Sequence, residues 1–113
     1  MVTIETFRQI ALSLPDVAEL PHFEKTSFRI NLPGRQAGKK IFATLAEEKS
    51  IAMLTLSLID QSVFCSFDKA IIYPVAGTWG VKGCTCFDLK KIKKPMLKDA
   101  LACAYQNIIA KKK

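Results

Sequence analysis

Residues 28–57 read FRINLPGRQAGKKIFATLAEEKSIAMLTLS, and three apolar runs inside this stretch decide the fold. Phe28, Ile30 and Leu32 alternate with Arg29 and Asn31, the two-residue period of a half-buried strand. PGRQAGK (33–39) is a turn or exposed hairpin tip, rich in glycine and basic residues. KIFATLA (40–46) is a second strand, EEKS turns the chain, and IAMLTLS (51–57) is a third. Short connections between three such runs predict an antiparallel meander.

Working outward, Thr3–Leu14 has the pattern of a helix. Thr3 can cap it, Glu5 lies in its first turn, and Ile4, Phe7, Ile10, Ala11 and Leu14 recur at helical spacing. Pro15 stops it, because it has no amide to donate and restricts the residue before it. Residues 16–26 are expected to form a polar connection. Beyond the meander, Ser57 or Asp60 can start a shorter helix reaching about Phe67, with Val63, Phe64 and Phe67 as its buried face. AIIYPV (70–75) is a short strand whose Pro74 argues for an edge or an end, AGTW turns, and CTCFDL (84–89) is the last strand. Pro95 fits the first turn of a final helix whose stripe is Leu97, Ala100, Leu101, Ala104, Tyr105 and Ile108. Lys111, Lys112 and Lys113 would lie at its negative dipole end. The expected order is α-β-β-β-α-β-β-α: one α+β domain over residues 1–113, a two-layer α/β sandwich with a mostly antiparallel five-stranded sheet.

The chain has 113 residues, half of them hydrophobic, which is enough for one core without staples. No apolar run approaches the length needed to span a bilayer, and MVTIETFRQ lacks a basic start followed by a long apolar block. The expectation is a cytoplasmic monomer with no membrane association. Net charge is +7, and all of the excess lies in residues 82–113, where nine lysines face only Asp88 and Asp99. Such a basic segment either solubilises an exposed helix or attracts phosphates. Cys65, Cys84, Cys86 and Cys103 form no C-x-x-C pair; Cys84 and Cys86 fall on one side of a strand, but two grouped ligands do not make a tetrahedral site. They are expected to be small buried structural thiols in a reducing compartment, with no metal and no cofactor.

Motifs of catalysis are missing from the sequence. Gly34, Gly38, Gly77, Gly80 and Gly83 make neither a dinucleotide fingerprint nor a phosphate loop, and there is no nucleophile elbow. The single histidine, His22, has no partner in sequence for base or ligand work. No catalytic residue is assigned, and the expectation is a non-enzymatic protein.

LSLPDV (12–17), PHFEKTSFRI (21–30), KKIFATL (39–45), DQSVF (60–64), the YP and TWG elements near 73–80, KGCT (82–85) and the pair Ala104–Tyr105 occur in this order. Together they cover nearly the whole chain, and in this combination the sequence resembles the MmcQ/YjbR family of small bacterial proteins. The resemblance implies a CyaY-like two-layer fold and DNA binding through a double-wing motif. One departure is Cys84, where relatives often carry an aromatic residue, typically Trp, after the glycine.

On that reading the 33–40 hairpin, with Arg35, Lys39 and Lys40, and the 76–83 turn, with Trp79 and Lys82, are two wings. Lys90, Lys91, Lys93 and Lys94 would contact the phosphate backbone between them. No helix carries the Arg, Asn and Gln set of direct base readout, so sequence preference is expected to be weak. His22, Glu24, Lys25 and Trp79 are further candidates for a surface site. The competing class is a protein-interaction or small-ligand module that uses an open sheet face.

Overall fold

The fold is seen in a computed structural model of the chain, which describes residues 2–22, 25–30 and 40–110. Helix α1 (Ile4–Leu12) leads into strands β1 (Val17–His22), β2 (Lys25–Ile30), β3 (Lys40–Ala46) and β4 (Ile51–Thr55). Helix α2 (Leu58–Cys65), strand β5 (Ile72–Pro74), the short helix α3 (Thr78–Val81), strand β6 (Cys84–Asp88) and helix α4 (Lys94–Ala110) follow. The strands form one antiparallel sheet in the order β1-β2-β3-β4-β6-β5.

The α+β architecture is the expected one, with one strand more than the five expected. Residues 16–26 are not a plain connection: Val17–His22 pairs with Lys25–Ile30 as an edge hairpin. Its polarity hides it. Glu19 opposes Phe28, on the side where α1 packs, and is held there by Arg8 Nε at 3.0 Å. Pro21 is tolerated because an edge strand needs hydrogen bonds on one side only. The AGTW turn likewise contains the one-turn helix α3. Leu32, the third apolar residue of the first run, lies outside the described residues.

Local chemistry sets the helix ends. Thr3 Oγ1 accepts from the Thr6 amide at 3.0 Å and caps α1, and Ser57 Oγ accepts from the Asp60 amide at 3.1 Å and caps α2. The strand alternation sorts the sheet into two faces. Phe28, Ile30, Leu45, Leu54, Phe87 and Ile72 are fully buried beneath the helices, where Leu97, Leu101 and Ala104 of α4 complete the core. A register shift between Phe28 and Arg29 leaves Phe42 without a β2 partner. That bulge lets Phe42 and its neighbour Ala43 both turn inward, and Phe42 meets the Tyr105 ring edge-on at 5.8 Å. Tyr105 in turn donates to the Pro15 carbonyl at 2.7 Å, tying α4 to the α1–β1 joint across 90 residues of sequence.

The other face carries Ile41, Thr44, Ile51, Met53, Thr55, Tyr73, Cys84 and Cys86, all half-buried. None of them packs into the helix-covered core, and among the described residues no helix lies over them. No helix among the described residues is long and apolar enough to cross a membrane.

Candidate nucleic-acid interface

The strand register defines two ends of the sheet. The chain leaves β2 at Ile30, re-enters β3 at Lys40, ends β4 at Thr55, ends β5 at Pro74 and begins β6 at Cys84, all at one end. His22, Lys25, Ile51 and Asp88 mark the opposite end. Both connections expected to be wings therefore attach at the same end, the first after β2 and the second after β5. Three inter-strand spacings separate the β2/β3 pair from the β6/β5 pair, about 14 Å at 4.7–4.9 Å each.

The second connection is a rigid device built on glycine. Gly77 sits at φ +86 and Gly83 at φ +109, conformations that side chains other than glycine rarely adopt. A Cβ on Gly80 would lie 1.8 Å from the Val75 carbonyl oxygen, and one on Gly83 would lie 2.0 Å from that of Leu56. Backbone thus packs on backbone within α3, at Gly80, and just after it, at Gly83. Gln61 of α2 clamps the same turn, its Nε2 donating to the Gly80 carbonyl at 2.9 Å and to that of Cys84 at 3.3 Å.

This frame holds Trp79 out in solvent, 67% exposed, with Val81 and Lys82 exposed beside it. Lys82 Nζ stands 5.5 Å from the Trp79 ring centroid, within cation–π range. An indole held mostly in water by a glycine-built turn adds little to the core, and its free face suits stacking.

The remaining basic candidates are divided. Lys40 opens β3 at the Trp79 end, while Arg35 and Lys39 fall outside the described residues. Lys90, Lys91, Lys93 and Lys94 follow β6 at the opposite end, some 20 Å away along the strand at 3.3 Å per residue. They do not lie between the wings. They surround the start of α4, whose first turn has no acidic residue, so they oppose the helix dipole.

His22 and Lys25 are also at that far end, where β1 and β2 join, and Glu24 lies outside the described residues. The His22 strand stands four places from the Cys84/Cys86 strand in the sheet order, so no strand pairing joins the two. All four cysteines are free. Burial raises the Cys84 thiol above its ordinary range, and burial together with the neighbouring Cys84 pushes Cys86 up to about 11. Neither is a thiolate near neutral pH. Among the described residues no three His, Cys, Asp or Glu side chains converge on a point that could hold a metal.

Sequence periodicity also misplaced part of α2. Phe64 is buried against Phe87, ring centroids 6.0 Å apart, but Val63 and Phe67 are 53% and 65% exposed. The helix ends at Cys65, so Phe67 sits beyond the helical register that would have turned it inward.

No family model and no curated protein sequence matches the chain. Among solved structures, the chain is similar to the crystal structure of Deinococcus radiodurans protein DR2400, described as a DUF419 domain. The TM-score is 0.80 at 16% identity, over 96% of this chain and 79% of that one, a likeness of fold.

Proposed function

We propose that this protein is a non-catalytic nucleic-acid-binding module of the MmcQ/YjbR type, which grips duplex DNA with the sheet end that carries Trp79. The relation of DUF419 to the MmcQ/YjbR-like fold supports the family part of this reading. One observation carries the functional part: two connections attach at one end of the sheet about 14 Å apart, and one of them presents Trp79 and Lys82 on a glycine-locked turn. That span is comparable with a major groove about 12 Å wide. Arg35, Lys39, Lys40 and Lys82 would neutralise phosphates, and the Trp79 face would stack or lie against the sugar edge.

Four phosphate contacts imply a salt slope near −3.6, a loss of about a hundredfold in affinity between about 50 and about 200 mM salt. Trp79 is the chain's only tryptophan, so its own fluorescence reports contact. Anisotropy of a labelled duplex should show salt-sensitive binding together with a change in Trp79 emission, and Lys82→Glu should weaken it. Undetectable binding at low salt, or binding that leaves Trp79 emission unmoved, refutes the reading.

A second reading rests on the open sheet face, where Met53, Tyr73 and Ile41 stand half-buried without a covering element among the described residues. On it the protein is a protein- or ligand-binding module. Perturbation of Met53 and Tyr73 NMR signals by cell extract, with DNA digested and Trp79 unaffected, would favour it.

A further inference from the structure

The wings leave unused the most basic part of the molecule. Between the end of α2, strand β5 and the start of α4 lies a pocket of about 530 Å³, within the range of small-molecule sites. Phe64, Ile71, Ile72, Ile92 and Met96 line it. Phe67, which follows α2 and is largely exposed, forms one wall, so an apolar ring stands in water beside an apolar cavity. Lys91 and Lys93 line it as well, and Lys90, Lys94 and Lys98 are exposed on the adjoining turn and first turns of α4. The segment 90–99 thus bears five lysines against one carboxylate, Asp99.

Two aspartates also line the pocket. Asp68 is engaged locally, its Oδ1 accepting from the Ala70 amide at 2.9 Å and its carbonyl from the Ile71 and Ile72 amides. Asp99 lies on the α4 wall and opposes any anion placed near it. The attractive side of the mouth is therefore the Lys91–Lys93 turn.

An apolar cavity with cations at one side of its mouth selects a ligand that is apolar along its body and anionic at one end. We infer that this pocket binds a free small amphiphilic anion, a carboxylate or phosphate on a hydrocarbon body, with the body against Ile72, Ile92 and Met96 and the head at Lys91 and Lys93. Neutral and cationic molecules of the same body lack the head contact. A flat anionic membrane lacks a body that enters a cavity. The site is at the opposite end of the sheet from Trp79, so it stands apart from the nucleic-acid reading.

Sodium decanoate is the probe, titrated below its micelle concentration by calorimetry and by amide NMR. Saturable one-to-one binding is expected, with shifts at Phe67, Ile72 and Met96 and none at Trp79. 1-Decanol and decyltrimethylammonium should bind at least tenfold more weakly. Lys91→Glu with Lys93→Glu, both at exposed positions ahead of the α4 N-terminus, should weaken decanoate at least tenfold without lowering the thermal midpoint, and Asp99→Asn should tighten it severalfold. Met96→Trp, which fills the cavity, should abolish it. Equal affinity for decanol, shifts that map instead to Met53 and Cys86, indifference to the double lysine variant, or binding to phosphatidylglycerol vesicles without binding of free decanoate would each overturn the proposal.

Discussion

Replacing Gly83 by alanine puts the wing geometry to a quantitative test. At φ +109 an alanine is strained by about 1–3 kcal/mol before any contact is considered. Its Cβ would also lie 2.0 Å from the Leu56 carbonyl oxygen, so backbone must move by more than an ångström. That movement works against the Leu56 amide to Gly83 carbonyl hydrogen bond of 3.0 Å, which joins the end of β4 to the start of β6 and contributes about 1 kcal/mol. The stiffer unfolded chain returns about 0.4–1 kcal/mol. The net expectation is a loss of about 2–3 kcal/mol for Gly83→Ala, a fall in thermal midpoint of about 10 °C for a domain this size. Gly77→Ala is the internal control. It too has positive φ, +86, with ψ −156, a region essentially reserved for glycine, where an alanine is strained by about 1–3 kcal/mol; a Cβ there meets nothing within 4 Å, so this conformational term alone applies, less the same unfolded-state gain. Urea unfolding of both variants, followed by circular dichroism, measures the difference, with Trp79 emission as a local reporter. If Gly83→Ala costs no more than Gly77→Ala, the tight backbone contact does not hold the turn and the argument for a preset Trp79 fails.

Tyr105→Phe removes the hydroxyl that donates to the Pro15 carbonyl and should cost about 1 kcal/mol in urea titration; a neutral result would mean that the α1–α4 tie is not energetic. The raised thiol of Cys86 carries a sign for pH dependence. Its neutral form is favoured in the folded state, so that stability is complete below the ordinary value of 9.0 and is lost as pH climbs toward about 11. Unfolding midpoints compared across this alkaline window should fall more steeply for the parent than for Cys86→Ala. Parallel curves would show that the thiol is not linked to folding.

Much of this architecture was legible in order. The meander, both capped helices and the Pro95 start of α4 follow from local patterns, because periodicity and capping act over a few residues: Thr3 reaches Thr6, and Ser57 reaches Asp60. Strand β1 was not legible, since Glu19 and Pro21 break its apolar alternation. Only a salt bridge to Arg8 on α1, eleven residues earlier, makes Glu19 acceptable on that face. The doubled inward turn of Phe42 and Ala43 was hidden for the same kind of reason, because a bulge is a property of the pairing with β2.

The candidate site divides in the same way. The chain itself determined which residues are available: a lone tryptophan between glycines, basic residues between the second and third strands, and nine lysines in the last third. Where those charges stand relative to one another depends on strand order and direction, which join residues far apart in sequence. Tertiary structure alone decided that the β2–β3 and β5–β6 connections share one sheet end, and that Lys90–Lys94 sit at the other beside an apolar pocket. Composition sets the total charge of a protein; the antiparallel crossing of β4 and β6 sets where its field acts.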